Sequence, residues 1–284
     1  MTHAAASTAA PALRLERARG RAEVGFRFAD GATRLERLYQ EGQAKIRLPK
    51  PYGEEAPTAV LINTAGGIAG GDHIAYAARF GAGTRAVVTS QAAERVYRSS
   101  QTDGGRDGVI ETRLEIGAGA RAEWLPQETI LFDRARLSRS LDIEMAADAS
   151  LLAVESIVFG RTAMGEEVES CRLVDRWRVR RGGRLVFADA LRLEGAAREI
   201  LAGSATGAGA RAVATVLWID AGVEARVDDV RAVLATASGE AGASSFDGML
   251  VARLAAADAT VLRADLVRLL LHIREAELPR VWSC

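Results

Sequence analysis

Cysteine, histidine and lysine are nearly absent from this chain. There are two cysteines, Cys171 and Cys284, and three histidines, His3, His73 and His272. Two thiols make no disulfide framework and read as free groups in a reducing compartment. Three scattered histidines, with no HExxH and no CxxC, exclude a closed zinc site. Lys45 and Lys50 are the only lysines, so arginine supplies nearly all the positive charge. Net charge is absent too, with 37 Lys+Arg against 37 Asp+Glu. A balanced chain is a poor match for broad phosphate neutralisation, so no nucleic-acid partner is expected. No apolar run has the length of a membrane span. Aromatics make up 5% of the residues. No Ser/His/Asp constellation stands on a recognisable nucleophile motif.

What is present is apolar alternation and glycine. At 284 residues and 49% apolar the chain can bury a sizeable core. Residues 1–18 begin Ala/Ser/Thr-rich, without the charged and apolar regions of a signal peptide, and read as a disordered tail of a cytoplasmic protein. Residues 19–284 read as one domain, β-rich over 19–220 and α/β over 221–284. Glu111 to Ile116 and Ser140 to Met145 alternate polar and apolar, as half-buried strands do. Arg172 to Val179 and Arg184 to Leu193 flank Gly182-Gly183, a two-residue hairpin signal. Leu262, Leu266, Leu269, Leu270 and Ile273 keep helical spacing behind Asp258, a predicted N-cap, and Val227 to Leu234 form a second helical stretch. Gly248 to Ala255 reads as a strand between them.

A faint repeat runs through the β-rich part. Phe80-Gly81-Ala82-Gly83-Thr84-Arg85-Ala86 is echoed by Ile116 to Ala122 and, less well, by Met145 to Leu151. The same offsets make Gln91, Gln127 and Ser156 equivalent. The expected fold is therefore mainly β, with layered, β-helix-like stacked strands and two C-terminal α-helices.

The densest motif is Asn63-Thr64-Ala65-Gly66-Gly67-Ile68-Ala69-Gly70-Gly71-Asp72, straight after a strand at Thr58 to Ile62. It fails as a P-loop, because Asp72 stands where the phosphate-binding lysine belongs. It fails as a dinucleotide fingerprint, because Ile68 occupies the second glycine. Gly66, Gly67, Gly70 and Gly71 read as structural residues of a tight turn. Other carboxylates interrupt apolar strand patterns or sit beside glutamine: Glu94, Glu128, Glu155 and Asp189, with Glu166 further along. A charge in a buried strand is costly unless paired, solvated or bound to a cation. Pairing with one of the many arginines is the plain alternative. As a set these carboxylates suggest an oxygen-lined path for a weakly held divalent ion.

Six segments in order resemble the urease accessory protein UreD (UreH) family. They are Asn63 to Asp72, Gln91 to Ser99, Glu123 to Phe132, Phe159-Gly160-Arg161 with Met164-Gly165-Glu166, Arg184 to Asp189, and Leu278-Pro279-Arg280-Val281-Trp282. The resemblance runs from about residue 20 onward. It implies a mostly β protein with two helices and no catalysis of its own. It also implies a complex with UreF and the GTPase UreG on apo-urease, and transient Ni²⁺ carried through an internal tunnel rather than a resident cofactor. Asp72, Glu94 and Asp189 match the tunnel-lining positions of such proteins; Glu128, Glu155 and Glu166 come from the strand pattern. The segment Leu278 to Trp282 is a candidate docking element for a partner, and its Trp reads otherwise as a core plug. Two further classes remain open. One is a carbohydrate- or ligand-binding β domain with Trp124, Trp177 and Trp218 as platforms, although their apolar strand settings point to the core. The other is a parallel β-helix hydrolase using Asp72, Glu128 and Glu155.

Overall fold

A computed structural model describes residues 16–50, 56–99, 105–161 and 164–283. Most of the tail expected over 1–18, and Cys284, lie outside the described residues. The strands, in chain order, are β1 (Arg19–Ala29), β2 (Ala32–Gly42), β3 (Ala44–Arg47), β4 (Thr58–Asn63), β5 (His73–Phe80), β6 (Arg85–Ser90), β7 (Glu94–Val96), β8 (Gly108–Ile116) and β9 (Arg121–Leu125). Then come β10 (Thr129–Leu131), β11 (Arg136–Met145), β12 (Ser150–Phe159), β13 (Cys171–Arg181), β14 (Arg184–Gly195), the short helix α1 (Ala197–Ala202) and β15 (Ala212–Ile219). The last elements are α2 (Val227–Leu234), β16 (Glu240–Phe246), β17 (Met249–Ala256) and α3 (Ala259–Arg274). The fold is mainly β, as expected; α1 and β16 are additions that the sequence pattern did not announce.

The strands form two sheets. One has seven strands in the order β14-β13-β11-β8-β5-β1-β2; the other has ten, with β16-β17-β15-β12-β9-β6-β4-β3 as its main path. From β4 to β13 the longer strands alternate between the sheets, and like strands pair in parallel, as β5 with β8 with β11 and β6 with β9 with β12. The repeat is the turn of this coil. Phe80, Ile116 and Met145 stand side by side in one sheet, and Arg85, Arg121 and Ser150 in the other. The turns bond to one another: the amide of Gly117 donates to the Phe80 carbonyl at 2.7 Å, and that of Ala146 to Ile116 at 2.9 Å. Antiparallel strands finish both ends of the stack.

Two apolar layers hold the sheets. Alternate residues such as Phe26, Ile74, Leu114, Ile143 and Leu173 face Leu61, Val88, Leu151 and Leu217 across the inter-sheet space. The other face of β12, through Leu152, Val154 and Val158, packs with Val230, Leu262, Leu266 and Leu270 of the helices. Hence β12 is buried on both sides, and its sequence is apolar at successive positions instead of alternating, interrupted by Glu155 and Ser156. Asp258 caps α3 by accepting from the Thr260 amide at 2.7 Å. At the β13–β14 hairpin Gly182 and Gly183 both take positive φ, 57° and 79°, as a two-residue turn of this hand requires.

Candidate functional site

The glycine loop joins β4 to β5 and folds back onto β7. Ile68 is fully buried; its amide donates to the Arg95 carbonyl at 2.7 Å and its carbonyl accepts from Tyr97 at 2.8 Å. The residue that breaks the dinucleotide fingerprint is thus a core plug. Gly67 is required by space as well as by its φ of 153°: a Cβ there would lie 2.4 Å from the Tyr97 ring. Gly66 and Gly71 also take positive φ, and Gly70 is buried without needing it. Asp72 closes the loop. Its Oδ2 accepts from the Ala69 amide at 2.8 Å and its Oδ1 from Ala18 at 2.9 Å, which ties the start of β1 to the loop.

Asn63, at the end of β4, links the loop to a carboxylate. Its Nδ2 donates to the Gly67 carbonyl at 3.1 Å and to Glu94 Oε1 at 3.0 Å. Among the described residues no guanidinium lies within ion-pair distance of Glu94. Burial pushes its carboxyl up to about 7, against the pull of Asn63 and the Arg95 backbone. Burial and the nearby Glu94 hold the Tyr76 phenol above its usual range.

From Glu94 a polar seam crosses the inter-sheet core. Thr129 pairs with Glu94 in register, and its hydroxyl accepts from Arg139 Nη1 at 3.0 Å. Arg139 grips Asp175 with two bonds, Nε to Oδ1 at 2.9 Å and Nη2 to Oδ2 at 2.6 Å. Its Nη2 also lies 3.2 Å from Glu155 Oε2. Both oxygens of Glu155 take indole donors, Trp124 Nε1 at 3.2 Å and Trp177 Nε1 at 2.9 Å. Burial draws the guanidinium down, but Asp175 and Glu155 overcome it and keep Arg139 charged. Burial pushes Glu155 up to about 7, while Arg139 and the two indoles oppose the rise. A buried network of this kind is tolerable because every member has a partner.

The six carboxylates flagged by the sequence do not converge. Among the described residues no three or more His, Cys, Asp or Glu side chains are grouped so as to hold a metal ion. Glu94 and Glu155 lie in the seam, while Asp72 serves the loop. Asp189 pairs with Arg253 at 2.9 Å, Glu128 with Arg263 at 3.2 Å and Glu166 with Arg161 at 2.7 Å. Burial favours the neutral form of Glu166, yet the bonds from Arg161 bring its carboxyl below the usual value. Arg139 and Asp175 were not singled out in the sequence. The signal was there, since each occupies an inward phase of an alternating strand, between Leu137 and Leu141 and between Leu173 and Trp177.

The terminal segment is occupied within the fold. Trp282 is 6% exposed, its Nε1 donates to the Leu125 carbonyl at 3.1 Å, and Arg263 lies over its ring at 5.2 Å. Arg263 Nη2 also holds the Trp282 carbonyl, and Gln127 Nε2 holds that of Val281. The tryptophan is therefore the core plug, and its ring is not free to anchor a partner. Leu278, Pro279 and Val281 are half-buried beside it, and Arg280 is exposed. Trp124, Trp177 and Trp218 are all buried as well, so none offers a stacking platform for a sugar. Asp72, Glu128 and Glu155 have separate partners and form no hydrolytic cluster.

The family model described as UreD urease accessory protein matches residues 18–283. A urease accessory protein UreD from Rhizobium leguminosarum bv. viciae is 46% identical over 100% of both chains. Urease accessory protein UreD 3 of a Bradyrhizobium species is 46% identical over 98% of each, and the UreD of Azorhizobium caulinodans is 43% identical over 96% of this chain and 99% of its own. A family match across nearly the whole described fold, with full-length relatives at this identity, shows that the chain belongs to the UreD family of urease accessory proteins.

Proposed function

We propose that this chain serves urease maturation as a nickel-passing scaffold, docked on apo-urease together with UreF and the GTPase UreG. In this reading it performs no bond-making step and holds Ni²⁺ as cargo only. It works in the cytoplasm; no described helix is long and apolar enough to cross a membrane.

The observation that carries the nickel role is Glu94. A passing cation needs negative charge that is not already committed. Asp72 holds two backbone amides, and Asp189, Glu128, Glu155 and Glu166 each hold a guanidinium. Glu94 holds the neutral amide of Asn63, inside the fold and at the mouth of the seam. Its elevated affinity for a proton means that a divalent ion can take the proton's place near neutral pH, and give it back. An oxygen donor with few fixed neighbours binds nickel weakly and releases it, as a carrier must. Asp72 and Asp189 can join such a path only by giving up present partners.

The test is reconstitution of urease with limiting nickel and the complete accessory set. Glu94→Gln should lower nickel per urease several-fold while the assembly still co-purifies. Normal nickel incorporation by this variant removes Glu94 from the path. Loss of the assembly itself assigns the residue to docking instead.

A further inference from the structure

The two sheets are covered differently. Helices α2 and α3 lie over the outer face of the ten-stranded sheet. The seven-stranded sheet contains five strands paired in parallel, β1-β5-β8-β11-β13, yet its outer positions are exposed or half-exposed. Parallel strands ordinarily lie between two covering layers.

Charge is unevenly spread on this open face. The outward positions of β13 hold Arg172, Arg176, Arg178 and Arg180. Arg172 reaches Asp107 at 3.4 Å and Arg180 reaches Glu144 at 3.4 Å. Arg176 and Arg178 are exposed, and among the described residues neither has a carboxylate within ion-pair distance, although Asp142 stands beside Arg178 in register. On the other side their strand neighbours are Ala190 and Ala188, which leave lateral room for the guanidinium groups. Toward the sheet centre lies a shallow depression of ≈ 460 Å³ whose lining includes Ala75, Ala77, Ser140 and Arg180. In a chain of zero net charge, two adjacent uncompensated arginines on one strand face are a local excess that folding does not use.

We propose that this arginine row is a docking surface for an extended acidic segment of a partner protein, its carboxylates at alternate positions. Outward side chains two residues apart on a strand are about 7 Å apart, the spacing at which an extended partner presents its own alternate side chains. A guanidinium fork grips a carboxylate with two parallel bonds. Small neighbours let the partner backbone approach. Glu111, Asp142 and Glu144 also line the depression, where Arg21, Arg113 and Arg180 balance them, so the unpaired positive charge lies on the β13–β14 flank. The same carboxylates oppose a nucleic-acid duplex, which needs neutralisation over a broader surface. The proposal concerns a different face from the nickel seam and does not depend on it.

The experiment measures fluorescence anisotropy of a labelled peptide alternating Glu and Thr, and separately of a labelled DNA duplex, against the full-length protein at low ionic strength. The protein should bind the peptide. Arg176→Ala with Arg178→Ala should weaken binding at least about tenfold, the scale of losing charge-assisted contacts. Arg176→Lys with Arg178→Lys should fall between the two, because the charge stays and the fork is lost. All variants should melt with the wild type, since both residues are exposed. No peptide binding, equal binding by an Arg176→Glu, Arg178→Glu variant, or preference for the duplex would each overturn the proposal.

Discussion

The two ends of the interior seam hold similar carboxylates in opposite conditions. At one end Glu155 is surrounded by a guanidinium and two indole N–H groups, with Asp175 sharing the same arginine. At the other, Glu94 has one neutral amide side chain. Burial raises both carboxyls to about 7, yet for different uses. The Glu155 end is committed to the fold, because each of its charges answers another. The Glu94 end keeps a charge that the fold tolerates without needing. The contrast teaches that burial alone does not separate the two carboxylates; the presence of a resident cation does.

The harshest way to break this contrast is Arg139→Met. It leaves Asp175 and Glu155 buried without their counter-charge and should cost about 3–5 kcal/mol in urea or thermal unfolding. Adding Asp175→Asn and Glu155→Gln should return much of that loss, and a single variant as stable as the parent would show that the network is not structural. Smaller is the pairwise test of the two carboxylates. Glu155→Gln should cost about 1–3 kcal/mol, because a bond to a charged group is lost in the core. At the acid end of its titration, where the native carboxyl is also neutral, Glu94→Gln should change stability by less than about 1 kcal/mol, since the amide keeps an acceptor for Asn63. Equal costs would erase the difference between the two ends.

The finest test is pH. The Glu94 carboxyl rises from 4.5 to about 7 on folding, so the folded state holds its proton more tightly between those values. Its contribution favours folding at the acid end of this window and is lost as pH rises toward 7. Glu94→Gln should therefore flatten the stability profile between those limits, because the amide does not titrate. A profile that keeps its full slope would assign the effect to Glu155 alone.

Much of the fold was legible because it repeats. The G-A-G turns bond to one another in register, so an echo in the sequence was a contact in space. Asp258, the hairpin glycines and the apolar stripe of α3 were equally local signals and held. The site was harder to read. Asp72 drew attention to the glycine loop, but its partners are backbone amides that no pattern displays. Arg139 and Asp175 stand 36 residues apart and meet only through the pairing of β11 with β13. A charge at an inward strand position can be seen in the sequence, while the identity of its partner is a matter of register between strands. Glu128, Glu166 and Asp189 were open to the same uncertainty, since an arginine-rich chain offers many partners. The Trp282 ring likewise reaches a carbonyl 157 residues away.

The stacked turns bear on how this family can vary in length. An extra residue within β8 would swap Ile110, Leu114 and Ile116 with Glu111, Arg113 and Glu115 and turn charge toward the core. An extra residue in a G-A-G turn would break the bonds that join it to the turns above and below. Neither place tolerates an indel. Insertions and deletions among relatives should instead collect away from both, in the connection between β7 and β8 on the opposite rim.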